Sequence, residues 1–168
     1  MPTMSSATTS TACPRECDRH LSGHRRSHVT GSAPQGAGTV VKVVDTSAVV
    51  AVLFGEPGGT EIERELVGSP CIMSAATRVE LGIVVEARAG PAGAQLLDEL
   101  LTRIEMRIEP VDADVANEAL VCWRRFGKGR HPAGLNYGDT FSYALARRMG
   151  VPLLYVGEDF AQTDLVVA

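Results

Sequence analysis

Aromatic residues are scarce, at 5% of the 168 residues, so the core must be aliphatic, drawn from the Val, Leu, Ile and Ala of a 45% hydrophobic fraction. No apolar run approaches the ~20 residues needed to span a bilayer. The N-terminus also lacks the apolar segment of a secretion signal. One domain of ordinary size, soluble and cytoplasmic, is therefore expected. Cysteine is sparse, and Cys71 in an apolar strand and Cys122 in a helix are expected as reduced core residues. Histidine is equally thin. His131 falls in a loop and the other three precede residue 30, so none is well placed as a general base.

An overall positive charge is missing as well. Residues 1–39 carry Arg15, Arg19, Arg25 and Arg26 against Glu16 and Asp18, a net of +2. Residues 40–168 hold 12 basic and 18 acidic groups, a net of −6. A domain of that sign does not attract nucleic acid by bulk charge. An RNA ligand would need a local basic patch, or bound cations, near the site.

Residues 1–39 are rich in Ser, Thr, Gly, Pro and Ala, with Leu21 and Val29 their only large aliphatic residues besides two Met. Such a segment cannot bury enough apolar surface to offset its ordering entropy, so it is read as a disordered extension. It contains Cys13-x3-Cys17-x2-His20-x3-His24, which are zinc-ligand residue types. Zinc modules separate their ligand pairs by a loop carrying hydrophobic residues, and this stretch has none. A native start at Val40 or Val41, from a valine-type initiation codon, is expected instead.

From Val40 onward, strand and helix signals alternate. Val40–Val44 is a β-branched run, hence a buried strand, and Ser47–Phe54 is a helix after the capping residues Thr46 and Ser47. "EPGG" breaks it, and Glu61–Val67 is a short amphipathic helix. "SPCIMS" gives a second strand ending in a Ser cap. Ala75–Ala89 and Ala94–Ile104 are helices separated by "AGPAG", and Met106–Ile108 is a third strand. Asp112–Phe126 is a helix with an acidic first turn and a basic last turn, as the macrodipole favours. "GKGRHPAGLNYG" is a loop, Thr140–Met149 a helix, Pro152–Val156 a fourth strand and Leu165–Val167 a short fifth. The expected fold is α/β, a three-layer domain over 40–168 with a mainly parallel four- or five-stranded sheet flanked by helices.

In open sheets of this kind, ligands sit beyond the carboxyl ends of the strands. Asp45 ends strand one, and Asp159 follows strand four by three residues. Asp139 opens the last long helix, and Glu80 lies one to two turns into the helix after strand two. Each alone has an ordinary use, as a helix cap, a turn former or a solvated helix residue. Together they converge on one edge of the sheet. Four packed carboxylates repel and take up protons unless a cation joins them, and the fitting cation is Mg²⁺ or Mn²⁺.

Three segments carry a resemblance. "VVDTSAVVAVLFGEPGG", "SAATRVELGIVVEARAG" and "LNYGDTFSYALARRMGVPLLYVGEDFAQTDL" are similar to PIN-domain ribonucleases, specifically the VapC-type toxins of bacterial toxin–antitoxin pairs, over about residues 41–168. The resemblance implies a Mg²⁺- or Mn²⁺-dependent endoribonuclease, usually dimeric and inhibited by a cognate VapB-type antitoxin. Asp45, Glu80, Asp139 and Asp159 match the family's acidic residues, with Glu158 and Asp164 as neighbouring candidates for the fourth place. Thr46 or Ser47 matches the hydroxyl that hydrogen-bonds within the acidic cluster, and Ser142 lies one turn from Asp139 on the same face.

Hydrolysis of a phosphodiester needs a nucleophilic water and neutralisation of developing charge, both within reach of a divalent ion. Asp45 and Asp139 are the first-choice metal ligands, with Glu80 and Asp159 supporting. RNA contact falls to Arg124, Arg125, Lys128 and Arg130 around the loop, with Arg147 and Arg148 adding charge on the last helix. Trp123 is expected in the core, with base stacking as its alternative use. Leu53–Phe54 and Ile83–Val85 are read first as ordinary packing and second as antitoxin or dimer contacts. A haloacid-dehalogenase-type phosphatase would want an acid where Ser47 stands. The competing reading is a catalytically idle PIN-like module that binds protein or RNA.

Overall fold

A computed structural model describes residues 40–165. The expectations of disorder and of a zinc pattern within 1–39 lie outside these residues, as does most of the fifth strand. Leu165 itself is not in a strand.

The chain runs β1 (Lys42–Val44), α1 (Thr46–Phe54), α2 (Gly59–Gly68), β2 (Cys71–Ser74), α3 (Ala75–Arg103), β3 (Arg107–Glu109), α4 (Ala113–Phe126), α5 (Tyr137–Met149) and β4 (Leu153–Leu154). A single 3-10 turn, Phe160–Gln162, follows. The four strands form one sheet in the order β3-β2-β1-β4, and every pairing is parallel. Val43 pairs with Ile72 on one side and Leu153 on the other, so β1 is interior.

Successive strand residues face opposite layers. Val44, Met73 and Leu154 pack with α1, α2 and α3 through Ala48, Val49, Leu66, Leu81 and Val85. Val43, Ile72 and Leu153 pack with α4 and α5 through Cys122, Phe126, Tyr143 and Ala146. Both faces of the sheet are therefore covered, which explains why its strands read as unbroken apolar runs. Cys71 and Cys122 are buried free thiols, and burial pushes Cys122 up to about 12, leaving it unreactive.

The break predicted at "AGPAG" is present: α3 is two helices meeting at a kink, where Gly90 (φ 61°, ψ −158°) leaves the helical region ahead of Pro91. Two other boundaries differ from the sequence reading. Helix α5 begins three residues earlier than Thr140, because Asn136 and Asp139 close a reciprocal capping box. Asp139 therefore sits inside the first turn at N3 and caps through its side chain, which accepts the Asn136 N–H. Strand β4 is two residues long, shorter than the Pro152–Val156 expected.

The strand order reverses at β1. From β1 the chain moves through α1 and α2 to β2, whereas β4 returns to the opposite side of β1. The carboxyl ends of β1 and β4 thus border a topological switch point, where such sheets form a crevice.

Candidate active site

Asp45 stands at that switch point, directly after β1. It is 2% exposed and takes the N-cap position of α1 with extended backbone. Its Oδ2 accepts hydrogen bonds from the Ser47 N–H (2.9 Å) and the Ser47 hydroxyl (2.7 Å). Its Oδ1 accepts one from the Ser142 hydroxyl on α5 (2.7 Å). The Ser47 oxygen in turn accepts the Val156 N–H beyond β4 (3.1 Å). Capping and clustering, alternatives in the sequence, are both true of this residue.

Glu80 approaches from α3. Its Oε2 accepts the Thr46 hydroxyl (2.8 Å). Burial pushes its carboxyl above the usual range, the Thr46 bond opposes that, and the Asp45 charge adds to it. The carboxylate lies against Gly138, where a Cβ would fall 2.1 Å from Oε1. No side chain fits at 138 with Glu80 in this position.

Asp139 lies in the next residue along α5. Its Oδ2 accepts the Asn136 N–H (2.7 Å), and its own N–H donates to the Asn136 side chain (3.1 Å). Burial is the largest influence on its acidity. The Asn136 N–H opposes burial, while the charges of Asp45, Glu80 and Asp159 reinforce it, and the carboxyl is pushed up to about 7. The four acids therefore share one electrostatic field.

The three candidates for the fourth acid separate clearly. Asp159 is exposed, precedes the 3-10 turn without capping it, and acts on Asp139 through its charge. Glu158 is exposed and acts on Tyr155. Asp164 points elsewhere, accepting the Tyr143 hydroxyl (2.6 Å) and pairing with Arg147 (2.8 Å) and Arg125 (3.0 Å).

The donor set fits a divalent cation. It is built from oxygens, it holds acids pushed toward their protonated forms, and among the described residues no Lys or Arg pairs with Asp45, Glu80 or Asp139. Among the described residues no three His, Cys, Asp or Glu side chains form a ready-made cage. Glu80 and Asp139 instead engage Thr46 and Asn136. Sparse carboxylate ligation of this sort suits Mg²⁺, which keeps several waters.

The basic residues divide. Arg125 is committed to Asp164 and covers the Phe126 ring at 4.6 Å. Arg124 and Lys128 pair with no carboxylate among the described residues, and both are exposed. Arg130 stacks over Trp123, 4.0 Å from the ring centre. Trp123 is 38% exposed, so the core placement expected from sequence is wrong: it lies on the outward side of α4 beneath a cation. Arg147 and Arg148 serve ion pairs with Glu118, Asp164 and Asp114. Leu53, Val84 and Val85 pack into the core, whereas Phe54 and Ile83 remain exposed.

Sequence reasoning missed four residues. Asn136 carried a signal, an Asn three residues before an acid at a helix start, and Gly138 carried its adjacency to Asp139. Ser74 was seen only as a cap, and Thr77 had no signal at all. Its hydroxyl lies 2.8 Å from that of Ser74 and 3.2 Å from that of Ser142.

Known proteins resemble this chain in sequence and fold. A ribonuclease VapC of Mycolicibacterium smegmatis is 49% identical over 124 residues, covering 73% of this chain and 96% of its own length. Ribonuclease VapC30 of Mycobacterium tuberculosis is 47% identical, covering 73% and 95%. The crystal structure of M. tuberculosis VapC20, a toxin that cleaves the sarcin-ricin loop, superposes with a TM-score of 0.63 at 21% identity, over 76% of this chain and 98% of that one. A DNA-bound VapBC structure from Salmonella typhimurium gives 0.61 at 14% identity, over 77% and 96%. The PIN domain pattern matches residues 42–165, from the first residue of β1 past the last of the four acids, and the chain belongs to the PIN domain family.

Proposed function

We propose that this chain is the toxin of a toxin–antitoxin pair, an endoribonuclease that hydrolyses RNA phosphodiester bonds with Mg²⁺ or Mn²⁺. The reading is supported by a buried Asp45 held by Ser47 and Ser142 and by Asp139, which burial first, and then the charges of Asp45, Glu80 and Asp159, push up to about 7. The ribonuclease names of relatives near half identity support it.

Asp45 and Asp139 would hold the cation, with Glu80 and Asp159 supporting. When bound, such an ion activates water and neutralises charge on the phosphate. The chain's own residues prepare the site. Ser47 and Ser142 fix both oxygens of Asp45, and Thr46 aims Glu80. Asp139, pushed up to about 7, would hold a cation in its deprotonated form, so binding would compete with its proton. Arg124, Lys128 and Arg130 would meet the RNA backbone, offsetting the acidic field of the domain. Trp123, already stacked with Arg130, offers a face to a base.

A cognate VapB-type antitoxin and a second copy of the chain are the protein partners of this reading. Exposed Val79, Ile83 and Phe54 supply apolar surface for such contacts. The site of action is the cytoplasm, and no described helix is long and apolar enough to cross a membrane.

The test is cleavage of a pooled tRNA and rRNA substrate with Mg²⁺ or Mn²⁺, beside Asp139→Asn. Cutting at defined sites, lost with the substitution and with EDTA, is expected. Equal cutting by both proteins overturns the assignment. Folded proteins that bind RNA without cutting it favour the idle binding module.

A further inference from the structure

We infer that Thr77 is a positioning residue of this site, acting through Ser142 on the carboxylate of Asp45. The inference rests on the ribonuclease reading above for its effect on catalysis, and on geometry alone for its existence.

Four links join the start of α3 to Asp45. The Thr77 N–H donates to the Ser74 oxygen (3.0 Å), and the Ser74 and Thr77 hydroxyls are 2.8 Å apart. The Thr77 and Ser142 hydroxyls are 3.2 Å apart, and Ser142 donates to Asp45 Oδ1 (2.7 Å). Ser74, Thr77 and Ser142 are each at most 1% exposed, so solvent does not substitute for any partner.

The chemistry of the two ends gives the chain a direction. A carboxylate only accepts, so the Ser142 proton points at Asp45. Ser142 then accepts from Thr77, and Thr77 from Ser74. The Ser74 oxygen accepts the backbone N–H. Three hydroxyl rotors are thereby locked in one sense, each proton one step nearer Asp45.

Helix capping does not require this. The cap needs only the Ser74 oxygen and the Thr77 N–H, and a valine at 77 would serve it while filling the same volume. The Thr77 hydroxyl is buried at the cost of desolvation, and its partners are the cap and Ser142. Its consequence is at Asp45. Oδ2 has both lone pairs filled by Ser47, and Oδ1 has one filled by Ser142, leaving a single lone pair of fixed direction for a ligand. Without Thr77, Ser142 loses the donor that holds its rotor, and that direction loosens.

The experiment compares the full chain with Thr77→Val, Thr77→Ser, Ser142→Ala and the double variant Thr77→Val/Ser142→Ala. Mn²⁺ binding is read by electron paramagnetic resonance, and RNA cleavage as separate kcat and KM. Thr77→Val should weaken Mn²⁺ binding about three- to tenfold and lower kcat with KM unchanged. Thr77→Ser should restore both, and the double variant should be no worse than Ser142→Ala. Wild-type Mn²⁺ binding by Thr77→Val, or a double variant as weak as the product of the singles, overturns the proposal. If Thr77→Val fails to fold, Thr77→Ala takes its place under the same criteria. A second readout needs neither metal nor RNA: the ¹³C resonance of the Asp45 carboxyl in metal-free protein. It should move in Thr77→Val and return in Thr77→Ser. That result beside a wild type that neither binds Mn²⁺ nor cuts RNA would sink the nuclease reading and keep the relay. An unmoved resonance sinks the relay itself.

Discussion

The two ends of helix α5 handle negative charge in opposite ways. At its start, Asp139 accepts the neutral Asn136 N–H, and burial, reinforced by the charges of Asp45, Glu80 and Asp159, pushes it up to about 7. Near its end, Arg147 gathers Asp164 together with Arg125 and the Tyr143 hydroxyl. Burial pushes Asp164 up, but those three donors outweigh it and hold the carboxyl at about 2. One cluster is neutralised by the protein's own cations, and the other is left with its repulsion. The difference leaves the start of α5 with carboxylates free to meet a ligand, whereas the Asp164 cluster fastens the segment after β4.

The sharpest break in this comparison is Asp139→Asn. It should lower RNA cleavage about a hundredfold or more, while metal-free protein at pH 7 becomes more stable, as urea denaturation would show. A cleavage loss accompanied by unfolding would contradict it. Gly138→Ala comes next. Its Cβ collides with the free end of Glu80, a flexible side chain, and not with backbone. Cleavage should fall about tenfold through displaced Glu80 while the melting temperature moves little.

Acidity sharpens the contrast, with opposite signs at the two ends. Asp139 keeps its proton in the folded state up to about 7 but loses it near 3.8 when unfolded. Metal-free stability should therefore fall as pH rises from about 4 to 7, and Asp139→Asn should flatten that slope. Mg²⁺ or Mn²⁺ should oppose it. Asp164 contributes stability above about 4 that disappears as pH drops toward 2. Asp164→Asn gives the smallest effect, a loss of about 0.5–1 kcal/mol at pH 7, because the side chain is 40% exposed and water screens the pairs. Added salt should shrink it further.

Much of this contrast was legible in the sequence, though unevenly. β-branched runs between helical stretches gave the layers, and "SPCIMS" marked Ser74 as a cap. Asp45 at a strand end could be placed because parallel sheets put ligands at one edge. Asp139 was seen but set at the wrong point of its helix, since a capping box with Asn and Asp hides in a loop rich in Gly and Pro. Trp123 misled because helical periodicity says which side is apolar, not whether a cation from the following loop will cover it. Thr77 could not be found, because its partner lies 65 residues away and contact at that range leaves no periodic trace. Asp159 was chosen over its neighbour Asp164, and Asp164 is in fact committed to Arg147 and Arg125 while the charge of Asp159 bears on Asp139.

The interior position of β1 also governs how the molecule is born. Val43 cannot pair with Leu153 until the ribosome has made 110 further residues. Contacts at such separation slow folding, and the Ser47 oxygen gains its Val156 donor only when the segment after β4 has docked beside β1.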